Sequence, residues 1–108
     1  IGSFQAVKHK LADMLLDFEH AKSAAYYAAA AIDADDGNIP ALAALATATA
    51  ADAYSHVAAD RIQLHGGICF TWDNDTHLGF TRAKSSEMLL GSPAWQRERY
   101  VQAIEAAA

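Results

Sequence analysis

The sequence predicts an all-α fold, an antiparallel helical bundle forming one domain over residues 1–108. Three observations carry this. Apolar residues in the first third recur at alternating steps of three and four, the period of a bundle helix. Alanine dominates the middle third, and hydrophobic residues make up 53% of the chain, too many for a disordered segment. Only six glycines and two prolines occur, so helix breaks are few.

The first helix is expected over residues 3–32. Phe4, Val7, Leu11, Met14, Phe18, Ala21, Ala25, Ala28 and Ile32 form one apolar stripe. Lys8, Lys10, Asp13, Asp17, Glu19 and Lys22 fall largely off it, and Phe4 reads as the first packing residue. Asp33-Ala34-Asp35-Asp36-Gly37-Asn38 is a polar turn, after which Pro40 suits an early helical position. So short a turn makes the next helix, 39–65, an antiparallel neighbour. In that helix Ala41, Ala44, Ala48, Ala51, Ser55 and Ala58 form a small-residue stripe that lets another helix come close. Gly66-Gly67 ends it. Asp73-Asn74-Asp75 supplies caps for a third helix, 75–90. Gly91-Ser92-Pro93 combines a break, a cap and a first-turn proline, and starts a fourth helix over 93–106.

Composition narrows the function. The net charge is −5 and Lys and Arg do not cluster, so nucleic acid and anionic membrane surfaces are poor partners. One cysteine cannot form an internal disulfide and fits a reducing, cytoplasmic compartment. No apolar run is long enough to span a membrane, and no signal-peptide pattern is visible. The chain starts with Ile1, which is read as a piece of a longer protein.

The stretch Ile62-Gln63-Leu64-His65-Gly66-Gly67-Ile68-Cys69-Phe70-Thr71 carries the most chemistry. Two glycines without Cβ atoms let backbone approach a ligand closely, and the Gln63 amide can both donate and accept. The same pair also serves as a plain helix stop. This stretch resembles the Gln-x-x-Gly-Gly-x-Gly-[Phe/Tyr] signature of acyl-CoA dehydrogenases. Phe4-Gln5-Ala6-Val7-Lys8-His9-Lys10-Leu11-Ala12-Asp13-Met14 is similar to the stretch that opens a bundle helix in that family. Arg82-Ala83-Lys84 resembles its Arg-Asp-Ala-Lys run with one residue missing. The three matches keep their order across nearly the whole chain.

The resemblance implies the C-terminal helical bundle of an FAD-dependent enzyme that desaturates acyl-CoA thioesters. It implies a bundle lacking its first helix, a piece inactive alone, and an apolar groove that drives association. Gln63, His65, Gly66 and Gly67 become candidate contacts to the adenine end of an FAD bound mainly by a neighbouring subunit. Gln5 is a further candidate, and Ser92 keeps a hydroxyl where the family has Thr. The implied partners are acyl-CoA, an electron-transfer acceptor, and either further copies or a related subunit in a heterotetramer. The catalytic base is missing from its usual place. Many members carry Tyr-Glu-Gly-Thr after the third helix, whereas here the run is Leu89-Leu90-Gly91-Ser92. Leu90 cannot accept a proton. The base then comes from the absent helix, or the parent is a non-catalytic subunit. Glu87, one turn earlier, reads mainly as a solvated carboxylate. A helical interaction module without cofactor is the remaining alternative.

Other groupings are weaker. Asp52, His56 and Asp60 share a helix face at spacings of four, but without a third strong ligand type they read as a hydrated polar face rather than a metal site. Cys69, with His65 and His77 in the same region, reads as a small packed thiol rather than a nucleophile. Trp72 and Trp95 read as packing residues.

Overall fold

A computed structural model describes residues 4–65 and 75–107. Four helices follow in order: α1 (Gln5–Asp33), α2 (Ile39–His65), α3 (Thr76–Leu90) and α4 (Pro93–Ala107). The all-α expectation holds, and each boundary lies within two residues of the one predicted. Among the described residues there is no strand, and no helix is long and apolar enough to cross a membrane.

The turn between α1 and α2 is built from backbone. Asp35 takes φ 54°, the left-handed region. Asp36 N–H donates to the Ala31 carbonyl at 2.9 Å and Asp35 N–H to the Ile32 carbonyl at 3.1 Å. These two bonds form a Schellman stop and satisfy two orphan carbonyls of α1. Asp36 Oδ1 then accepts from Asn38 N–H at 2.7 Å, turning the chain into α2. The left-handed residue is therefore an aspartate, two positions before Gly37. At the start of α3, Asp75 occupies the cap position but its side chain makes no capping bond. Asp73 and Asn74 lie outside the described residues.

Helix α2 is the hub. α1, α3 and α4 each pack on it, and packing among the other helices is marginal. This explains its alanines: Ala41, Ala44, Ala48, Ala53 and Ala58 are buried, and Ala31 and Ala83 join them from α1 and α3. Ala51 and Ser55, also expected in the close-packed stripe, are half-buried. Small side chains let backbones approach, but each buries little apolar area, so this core is thin.

α1 differs from its expected stripe. The side toward α2 carries Val7, Lys10, Met14, Asp17, Ala21, Ala24, Ala28 and Ala31, all buried or half-buried. Phe4, Leu11, Phe18 and Ile32 are 65%, 49%, 56% and 58% exposed, so Phe4 is not a core residue. The stripe is split because, among the described residues, α1 packs extensively on one helix rather than two. Phe18 and Ala25 instead border an open trough across α2, whose far wall is α3. Its two cavities measure about 400 Å³ and about 390 Å³ and share Ala50 and Tyr54. The chain is consequently elongated, at 50 × 27 × 22 Å. Its accessible surface is 7364 Å², against about 5,800 Å² for a compact monomer of this size.

Candidate functional site

The expected site residues fall into two places. The first is the end of the bundle where α1 begins and α2 finishes. Lys10 Nζ meets Asp60 Oδ1 at 3.1 Å, which marks the antiparallel register. In that register Gln5 and the Gln63–His65 turn lie at the same end. All three side chains are exposed. Gln5 Nε2 is 2.9 Å from His9 Nε2, one turn along α1. The His65 ring donates from Nδ1 to the Arg61 carbonyl at 2.9 Å, which closes the last turn of α2. With Nδ1 so engaged, Nε2 is the ring nitrogen left for a ligand to meet. Gly66 and Gly67 lie outside the described residues, as do Cys69 and Trp72.

The second place is the α3–α4 turn. It lies against the middle of α2, because Leu90 borders the cavity formed by Ala46, Thr47, Ala50 and Ala51. Arg97, at the start of α4, pairs there with Asp52. Asp52 and His65 are thirteen residues apart on α2, which separates the two places by about 20 Å. Gly91 holds φ +90°, and a Cβ there would run into Trp95 Cε3. No other residue fits this position without moving the ring. Trp95 is thus a packing residue against Gly91, although half of it is exposed, and Arg99 stacks on it at 5.0 Å.

Ser92 Oγ accepts a hydrogen bond from Trp95 N–H at 3.2 Å, capping α4. Capping uses an oxygen lone pair, so the hydroxyl proton can still be donated outward. Leu90 is 60% exposed and offers only its backbone carbonyl to polar chemistry.

Glu87 is not the solvated carboxylate expected. It accepts from Ser55 Oγ at 2.5 Å and lies 3.9 Å from Lys84 Nζ. α3 runs antiparallel to α2, which turns Glu87 toward the hub. Nor is the Asp52–His56–Asp60 face simply hydrated. Its members tie three different residues: Asp52 to Arg97, His56 to Asp17 at 3.8 Å, and Asp60 to Lys10. Lys10 and Asp17 had been expected off the packing stripe. Among the described residues no three His, Cys, Asp or Glu side chains converge on a metal-sized site.

Sequence reasoning missed Gln96. It is 4% exposed, and its Nε2 donates to the Leu90 carbonyl. Periodicity gives no signal for it, because a glutamine one turn into a surface helix reads as solvated.

A helical module built on one alanine-rich hub, with an open trough and exposed polar groups at its end, is the class of protein defined so far. The comparisons sharpen this. Residues 1–105 match the family described as acyl-CoA dehydrogenase, C-terminal domain, and the chain belongs to that family. It is 46% identical over 93 residues to the acyl-CoA dehydrogenase IpdE2 of Mycobacterium tuberculosis, covering 86% of this chain and 27% of that protein. It is 39% identical over 99 residues to IpdE2 of Mycolicibacterium smegmatis, covering 92% and 30%. The acyl-CoA dehydrogenase FadE34 of Mycobacterium tuberculosis is 46% identical over 99 residues, covering 90% and 14%. The chain thus spans less than a third of the length of these relatives. No solved structure matches it.

Proposed function

We propose that this chain is the C-terminal, FAD-contacting and oligomerising bundle of an acyl-CoA dehydrogenase. The parent enzyme would desaturate acyl-CoA thioesters between the α and β carbons and pass electrons to an electron-transfer acceptor. The family match over residues 1–105 carries the reading. Flavin, when bound, supplies the hydride acceptor.

The donor set fits an adenine-side role. Gln5, Gln63 and His65 place an amide, a second amide and an imidazole on one exposed end. Such groups can meet the mixed donors and acceptors of a purine edge. Gly66 and Gly67 would let the backbone close on the cofactor. Ser92, capped but still able to donate, would serve at the other place. The distance between the two places suits contacts to separate parts of an extended cofactor, or to two cofactors across a subunit interface.

Proton abstraction would not come from the α3–α4 turn. Leu90 has no acceptor on its side chain, and Glu87 is engaged by Ser55 and Lys84. The base would come from another segment of the parent protein or from a partner subunit. A non-catalytic subunit in a heterotetramer is the second reading, and the same occupation of Glu87 favours it. The trough between α1 and α3 would take a further helix of the assembled enzyme, and the piece alone would be inactive. A cytoplasmic location belongs to the same reading.

The test is the full-length protein that contains this bundle. Visible flavin absorbance after purification, and acyl-CoA-dependent dye reduction that survives Leu90→Ala, are the expected results. A flavin-free, well-folded protein would favour a helical interaction module instead. Selective loss of proton abstraction in Leu90→Ala, with binding unchanged, would overturn the assignment of the base elsewhere.

A further inference from the structure

The α3–α4 turn is held by more contacts than a surface connection needs. α3 ends with carbonyls that lack intrahelical partners, as every helix does. Gln96 Nε2 donates to one of them, at Leu90. Gln96 N–H donates to the Ser92 carbonyl at 3.0 Å, and Ser92 Oγ accepts from Trp95 N–H at 3.2 Å. Between them Gly91 adopts φ +90° with the Trp95 ring against its Cα. Gln96 is therefore bonded to both sides of the glycine, by its side chain to α3 and by its backbone to α4.

Gln96 is also an expensive choice for a core position. It is 4% exposed, and its Oε1 is buried without a donor among the described residues. A half-satisfied buried amide costs stability, whereas an apolar side chain of the same length would not. Packing alone does not account for it. The Nε2 donor does, because it is the side-chain group that reaches across the turn to Leu90.

We infer that Gln96 is a positioning residue: it latches the Leu90 carbonyl and so fixes the direction in which the turn presents the Ser92 hydroxyl to the cofactor. This rests on the FAD reading above, and on Ser92 as one of its contacts. Losing the latch frees the α3 end while the packing of α1 on α2 stays as it is, since those contacts involve other residues. The latch thus acts on the turn locally, through one buried hydrogen bond.

The experiment uses the full-length flavoprotein with Gln96→Met, which keeps side-chain length and apolar bulk but removes the donor. Gln96→Glu keeps the shape and, when ionised, also removes the donor, so a folding failure in one variant leaves the other. Amide hydrogen exchange is read at residues 88–96 and, as an internal control, at residues 10–30. Flavin dissociation is measured alongside, with Ser92→Ala as the comparison. The expected result is at least tenfold faster exchange confined to the turn. Flavin loss is expected to rise severalfold, to the level of Ser92→Ala. Unchanged exchange at the turn would overturn the latch. Faster exchange in the turn with flavin retention unchanged would overturn the positioning role. If Ser92→Ala also retains flavin fully, the fault lies in the assignment of Ser92 to the cofactor, which identifies which of the two readings has failed.

Discussion

The two places where polar chemistry collects are held in opposite ways. At the α1–α2 end, Gln5 and His65 are exposed, and among the described residues each is bonded to a group one turn away on its own helix. At the α3–α4 turn, a buried amide, a positive-φ glycine and a serine cap hold one backbone geometry. Local surface bonds exchange readily with a ligand, because water or a ligand atom replaces either partner at little cost. A turn held from both sides does not adapt. On the proposed reading, the first place receives a group and the second stays where it is.

The largest effect should come from bulk at the rigid turn. Gly91→Ala would put a Cβ into the Trp95 ring at a backbone angle that L-residues avoid. A destabilisation of about 2–4 kcal/mol is expected in denaturant melts of the full-length protein. A loss below about 1 kcal/mol would mean the turn relaxes easily, and the contrast between the two places would fall.

Overpacking the hub should come next. Ala48 is 1% exposed, and Ala48→Leu should cost about 1–3 kcal/mol, seen as a lower Tm without loss of helical circular dichroism. The ion pairs should matter less. Lys10 and Asp60 are 35% and 28% exposed, so a double-mutant cycle should return less than about 1 kcal/mol, falling further with added salt.

The smallest stability effect is expected at the adaptable end. Gln5→Ala and His65→Ala should each shift stability by no more than about 0.5 kcal/mol, yet both should speed flavin loss. Flavin release at the wild-type rate in both variants would remove that end from the cofactor site.

The helices were legible because their signals are local. The three-four spacing of Val7, Leu11, Met14, Phe18 and Ala21 needs only one chain and one period. Gly91-Ser92-Pro93 marks a stop and restart wherever it occurs. What could not be read was which face each residue would share, since that depends on how many neighbours a helix has. The α1 stripe looked continuous, yet Phe18, Ala21 and Ala25 border the trough, because among the described residues α2 is the helix that packs extensively on α1. Lys10, Asp17 and Glu87 looked solvated and turned out to bridge helices, because their partners Asp60, His56 and Ser55 are far away in sequence. The turn after α1 was legible as a turn, but its left-handed residue is Asp35, where glycine would have been the simpler choice. At the candidate site, Gln5, Gln63, His65 and Ser92 were singled out as candidates through the resemblance. Gln96 was not, because its role appears only when α3 and α4 are placed end to end.

Flavin occupancy in the full-length protein carrying Gly67→Val tests the central claim most directly, with far-ultraviolet circular dichroism recorded on the same sample. The proposed reading has Gly67 let backbone approach the cofactor, and valine would remove that approach while α2 and α3 can still form. The account predicts wild-type helical content with flavin occupancy clearly below wild type. Full flavin occupancy in the variant would contradict it.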